Sequence, residues 1–292
     1  MKGTSFLHAG MSIARVDIAP GIPGLEIEHP LATARVSLHG AQILAWTPAG
    51  HEPVLYLSPQ SAYCEGKAIR GGVPVCWPWF GPHPDNRILP SHGLARTRSW
   101  QLEEEGVDDR GVRLVFVLTD SEETRRLWPR AFRLEMEMHI GRELKLALHM
   151  RNTHSEPVQI TAALHTYLAV RDIRAVTITG LEGAEFLDTT VSPPEVRRQE
   201  GDIRFTGEID RNYQSSGVVR IDDGARVLTV HGEGSNCAVV WNPWIAKAAA
   251  LADLPDDDYL RFVCVETANA WQDTVTIPPG GSHTLATTIR VD

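Results

Sequence analysis

Lysine is scarce in this chain. Of its 28 cationic residues only Lys2, Lys67, Lys145 and Lys247 are lysines; the rest are arginines. Against them stand 37 Asp and Glu residues, so the net charge is −9. A chain of that sign has no overall field to attract nucleic acid or an anionic membrane, and neither is expected as a partner. Any anionic ligand would have to be held by a local cluster of Arg or Lys. Cysteine is sparse too. Cys64, Cys76, Cys237 and Cys264 form no C-x-x-C pair, which leaves free thiols in a reducing compartment, and a cytoplasmic setting, as the expectation. No apolar run approaches the length of a membrane span, and the first residues lack the cationic stretch and apolar core of a secretory leader. There is no G-x-G-x-x-G, P-loop, H-E-x-x-H or G-x-S-x-G, so nucleotide chemistry, zinc proteolysis and serine hydrolysis have no local support. Most of the twelve histidines stand singly, and neither a metal nor another cofactor is expected.

What is present is a long succession of short strands. Ala34, Val36 and Leu38 alternate with polar residues up to a break at Gly40, and a second strand follows to Trp46. Val112–Thr119 reads as a strand. Asp120 to Glu123 reads as a capping box opening a short helix that stops at Pro129. The clearest signal lies in 132–150. Leu134, Met136, Met138 and Ile140, then Leu144, Leu146, Leu148 and Met150, alternate with polar residues around Gly141, as in a hairpin with one buried face. Further strands are expected near 158–169, 175–179, 184–190, 217–221, 226–231, 237–241, 260–266, 273–277 and 284–291, with a short helix near 246–252. The pattern predicts an all-β protein, a large antiparallel β-sandwich with a few short helices. Residues 1–24 are read as a lead-in with at most short extended pieces, and 25–292 as a single domain. Nothing in the sequence demands a partner chain, and a monomer is expected.

One stretch breaks this rhythm. Residues 67–100 carry Pro74, Pro78, Pro82, Pro84 and Pro90, which exclude a regular helix or central strand. Gly71, Gly72, Gly81 and Gly93 allow close backbone approach. Trp77, Trp79 and Phe80 offer apolar faces of the kind that line ligand clefts. Arg70, His92 and Arg96 add charge and a titratable group. So long an irregular segment is usually a functional loop. Elsewhere, period two puts His165 on one face with Thr161, Ala163 and Tyr167, and Glu266 ends an apolar strand on a face with Phe262 and Cys264. Taken alone, His165 reads sooner as a hydrogen-bonded histidine on a solvent-facing strand and Asp210-Arg211 as an ion pair in an acidic loop, while Glu266 reads equally as an exposed strand end.

The run Ala68-Ile-Arg-Gly-Gly-Val-Pro-Val-Cys-Trp-Pro-Trp-Phe-Gly81, followed by His92-Gly-Leu-Ala-Arg96, resembles the aldose 1-epimerase (mutarotase) superfamily, and within it the hexose-6-phosphate mutarotase branch. The likeness runs from about Leu25 to the C-terminus and implies the broad mutarotase β-sandwich. It implies His165 as general acid, Glu266 as base, His92 beside the sugar ring and Asp210 as a ligand of sugar hydroxyls. Leu94 stands where the family motif has Phe. A guanidinium offers a planar fork to phosphate oxygens, and Arg70 and Arg96 are the expected phosphate ligands, with Lys247 a lesser one and Gly71 and Gly72 offering backbone N–H groups. Trp79 is expected to line the substrate cleft. The implied activity interconverts the α and β anomers of glucose 6-phosphate and related sugar phosphates by ring opening and reclosure, with neighbours such as Asp210 keeping His165 charged. A free-aldose 1-epimerase and a non-catalytic sugar-binding protein are the alternatives.

Overall fold

The computed structural model describes residues 10–292. Among these residues the strands form a nine-stranded and an eight-stranded sheet, a four-stranded sheet near the N-terminus and a two-stranded ribbon, Val158–Ile160 with Val275–Ile277. Pairing between the named strands is antiparallel throughout.

The nine-stranded sheet runs Ile203–Arg204, Thr177–Thr179, Val219–Asp222, Val227–Glu233, Ser282–Val291, Leu144–Asn152, Phe132–Ile140, Gly111–Thr119 and Gln101–Asp108. Its centre is the expected hairpin. Leu134, Met136, Met138, Leu144, Leu146, Leu148 and Met150 are all at most 1 % exposed, and each such side chain removed from water contributes roughly 1.5–3 kcal/mol. Ser282–Val291 packs against Ala162–Leu164 and Phe262–Asn269 of the other sheet. One apolar cluster, reaching from Ile13 to Ile289, fills the space between.

The eight-stranded sheet runs Glu195–Arg198, Glu185–Asp188, Ile209–Gln214, Cys237–Asn242, Phe262–Asn269, Ala162–Leu164 and Val75–Cys76, with Tyr167–Ala169 also paired to Phe262–Asn269. One face carries Val240, Val265 and Leu164 into the main core. The opposite face carries a separate small cluster of Cys76, Ala163, Cys237, Val239, Ala268 and Ala270. Phe80 packs against it.

Several expectations are corrected. Ser12–Ala19 and Ile22–His29 form a hairpin, so much of the supposed lead-in is regular structure; its alternation is masked by Pro20, Gly21, Pro23 and Gly24. Residues 1–9 lie outside the described region. Gln101–Asp108 is an edge strand whose glutamates hid it. The expected strand over 158–169 is three short pieces. The capping box sits one residue later than expected: Ser121 Oγ accepts from the Thr124 N–H, and Thr124 Oγ1 accepts from the Ser121 N–H.

Candidate active site

The irregular 67–100 segment is stitched along the broken strand 158–169. The N–H of Thr161 donates to Pro78 O, that of His165 to Pro74 O, and that of Tyr167 to Gly72 O. Gly72, at φ 60°, has no room for a side chain: a Cβ would lie 2.1 Å from Ile43 O. Its N–H is spent on Tyr56 O at 2.7 Å, so it does not serve as a free anion donor. Gly93, at φ 76°, is tighter still, with a Cβ falling 2.0 Å from Trp77 O. That contact locks the two halves of the segment together.

The same register holds on both sides of the break, with Leu164 opposite Thr267 and Tyr167 opposite Cys264. His165 therefore stands opposite Glu266. Asn212 and Val239 continue this row across the sheet; Tyr167, Cys264, Trp241 and Asp210 form the next row on the same face. His165 Nδ1 lies 3.2 Å from Glu266 Oε1. The two are 6 % and 1 % exposed, far from the exposed strand positions that the residues alone allowed. Their contact is close but poorly directed: His165 Nδ1 and Glu266 Oε2 have no hydrogen-bond partner among the described residues. The His165 ring lies parallel to Tyr167, with centroids 4.8 Å apart and planes 8° apart. Trp241 meets it edge-on at 5.8 Å.

His92 reaches the same place from the loop, its ring 5.7 Å from that of His165. Its backbone takes φ 64°, an uncommon value for a non-glycine residue. Two hydrogen bonds clasp it to Gly81: its N–H donates to Gly81 O at 2.7 Å, and its Nδ1 accepts from the Gly81 N–H at 3.3 Å. In the neutral ring this puts the proton on Nε2. Burial, reinforced by the Arg96 and Arg70 cations, pushes His92 down to about 3.

Charge is distributed differently from the expectation. His165 is held well below the usual histidine range by burial first, then by His92, Arg96 and Arg70. Burial first, then the Asp210 carboxylate, raises Glu266 well above the carboxylate range, while Arg96 opposes the rise. A single proton on the pair can make imidazolium and carboxylate, or imidazole and carboxylic acid. Burial favours the uncharged form.

Arg70 Nη2 pairs with Asp253 Oδ1 at 3.0 Å, and Nη1 donates to the Tyr167 hydroxyl at 3.1 Å. Arg96 has no carboxylate partner among the described residues; its Nη2 donates to Ser91 O at 3.0 Å. Lys247 is engaged elsewhere, with Nζ 2.7 Å from Glu208 Oε1 and 3.4 Å from Asp210 Oδ2. Burial works against its charge, but these carboxylates outweigh it and raise its pKa. Asp210 is on the strand Ile209–Gln214 rather than in a loop. Trp79 turns its ring to His83 and donates its indole N–H to Pro90 O; the indole that meets His165 is Trp241.

Sequence reasoning groups His165 with Tyr167 by periodicity but gives Tyr167 no role, and it passes over Asp253, which stands just before the acidic run Asp256-Asp257-Asp258. It also leaves Cys264 unassigned. The donor atoms of Cys264, His165 and Glu266 lie within 4.8 Å of one another. A cation held there would occupy both His165 and Glu266 and leave neither free to move a proton.

Comparison with known proteins gives the family. Residues 23–290 match the family model described as aldose 1-epimerase. A protein of Escherichia coli K12 named "Putative glucose-6-phosphate 1-epimerase" is 40 % identical over 268 residues, 91 % of this chain and 89 % of its own. One of the same name from Cenchrus ciliaris is 35 % identical over 85 % of this chain and 78 % of its own. The crystal structure of YeaD from Salmonella typhimurium, titled a "putative mutarotase", superposes with a TM-score of 0.88 at 36 % identity, covering 98 % of this chain and 95 % of that one. With the antiparallel sandwich and the buried histidine–glutamate pair already in view, the chain belongs to the aldose 1-epimerase family.

Proposed function

We propose that this protein interconverts the α and β anomers of a hexose 6-phosphate, glucose 6-phosphate first among them. The observation that carries the reading is the cross-strand pair of His165 and Glu266, 3.2 Å apart and buried, beside two arginines. Anomer exchange needs one proton removed from the anomeric hydroxyl and one delivered to the ring oxygen. Glu266 takes the first and His165 gives the second. The C1–O5 bond opens, the C1–C2 bond turns by about half a revolution, and the two groups exchange roles as the ring closes on the other face. His92, with its Nε2 proton, polarises the ring oxygen, and Asp210 holds sugar hydroxyls with Lys247 keeping its carboxylate in place.

Arg96 and Arg70 hold the phosphate in this reading. The charge they carry also holds His165 down, so a phosphate dianion that cancels part of it lets His165 keep its proton more readily. The setting is cytoplasmic, in keeping with four unpaired thiols.

The pairing of Arg70 with Asp253 favours a second reading, a free-aldose epimerase. Magnetisation-exchange NMR on anomeric protons separates the two. Enzyme-dependent exchange is expected for glucose 6-phosphate and far less for glucose and galactose. Exchange of the free sugars alone overturns the phosphate reading; binding without exchange overturns the enzyme.

A further inference from the structure

One residue touches both halves of the site and has no part in the proton transfers. Tyr167 is 2 % exposed. Its hydroxyl accepts the Arg70 Nη1 hydrogen bond at 3.1 Å, and its ring lies against His165 at 4.8 Å with an 8° tilt. Trp241 stands edge-on to the same ring at 6.0 Å, and Phe262 lies 5.2 Å away, so the phenol is boxed in and has little freedom to tilt. The backbone reinforces this: Tyr167 pairs with Cys264, two residues from Glu266 on the same face. Among the described residues the phenol proton has no acceptor, which leaves it available to a ligand oxygen.

We infer that Tyr167 is a positioning residue that ties the anion-holding arm to the acid–base pair, its hydroxyl aiming Arg70 and its ring fixing the plane of His165. One rigid side chain then sets the separation between the anion and the reacting atoms. The geometry favours a substrate whose phosphate and anomeric carbon sit at the two ends of a single sugar ring. This inference rests on the sugar-phosphate reading for what Arg70 holds.

Two substitutions separate the two jobs. Tyr167→Phe keeps the ring and loses the hydroxyl; Tyr167→Leu loses both. Each full-length variant is titrated with inorganic phosphate by calorimetry and assayed for glucose 6-phosphate exchange. For Tyr167→Phe, phosphate binding and KM are expected to weaken about tenfold, the scale of one hydrogen bond to a charged group, while kcat falls less than about threefold. For Tyr167→Leu, kcat is expected to fall at least about tenfold further, because an acid held out of line loses its orientation. Unchanged phosphate affinity in Tyr167→Phe overturns the inference, and that variant alone decides it if the leucine variant does not fold. Equal kcat losses in both variants also overturn it, since they would show a merely structural role. If the wild type binds phosphate but exchanges no anomers, the proposed activity fails while the titration still decides whether Tyr167 aims Arg70.

Discussion

His165 and Glu266 face each other across two antiparallel strands, Nδ1 to Oε1 at 3.2 Å, at the one place where the ladder between those strands is interrupted. Pairing is regular on either side, so the backbone fixes their separation although the strand breaks. A carboxyl placed there is costly to ionise, and the histidine opposite is costly to charge. Each makes the other tolerable.

Replacing Glu266 by Gln removes the proposed base and keeps the shape. Turnover in the anomer-exchange assay is expected to fall by roughly 10²–10⁴-fold. The fold should not suffer. A carboxyl whose pKa is raised on folding contributes stability below its unfolded value and loses it as the pH rises through the folded one. Glu266→Gln should therefore melt no lower than wild type at neutral pH, and any gain should vanish below the ordinary carboxylate range. A large drop in melting temperature together with retained turnover would remove Glu266 from the mechanism.

Arg96 and Lys247 are expected to behave differently. Arg96 has no carboxylate partner among the described residues, and Arg96→Ala should raise KM for glucose 6-phosphate much more than for glucose. Lys247 is held by Glu208 and Asp210, so Lys247→Ala should affect both sugars alike by loosening Asp210. Steady-state parameters for both sugars, measured on both variants, check this; a phosphate-selective effect at Lys247 would restore it as an anion ligand.

The His165–Glu266 pair should report anion binding through pH. Burial and the two arginines hold His165 below its ordinary value and His92 near 3. An anion between the arginines cancels part of that field, so both histidines bind protons more readily in the complex. Sulfate, a dianion over the whole range, is therefore expected to bind more tightly, with proton uptake, as the pH falls below about 6.5, where histidines held under their ordinary value take up protons. Calorimetry in two buffers of different ionisation enthalpy reads the uptake. Binding that is independent of pH would separate the anion from the pair.

Gly93→Ala tests the crossing at the loop. The added methyl meets the Trp77 carbonyl at 2.0 Å with the backbone at φ 76°. A loss of at least about 2 kcal/mol is expected, since both the clash and the left-handed backbone count against it. Denaturant unfolding measures it, and a change below about 0.5 kcal/mol would mean that the two segments can part.

The sequence disclosed elements better than it disclosed their partners. The 132–150 hairpin was legible because Leu and Met alternate cleanly with polar residues over both strands. Ser12–Ala19 was not, because the glycines and prolines near Pro20 speak for turns whether or not strands flank them. The motif residues His92, His165 and Glu266 could be named, and they meet. What could not be read was charge pairing. That Asp253 holds Arg70, or that Glu208 and Asp210 share Lys247, depends on contacts between residues far apart in the chain, and an acidic run such as Asp256-Asp257-Asp258 looks like plain solvated surface. Nor does the sequence show how His165 is held: burial first, then His92, Arg96 and Arg70, keeps it below the usual histidine range.

The Gly93–Trp77 contact has a bearing on heredity. The carbonyl of one motif fills the space where the other would carry a side chain, so neither can drift alone. A lineage that lost the glycine would need a compensating shift at the tryptophan in the same step. The two motifs, read along the chain as separate signatures, are thus one packing unit, and a chimera that joins the first from one relative to the second from a distant one should fail at this seam before it fails in chemistry.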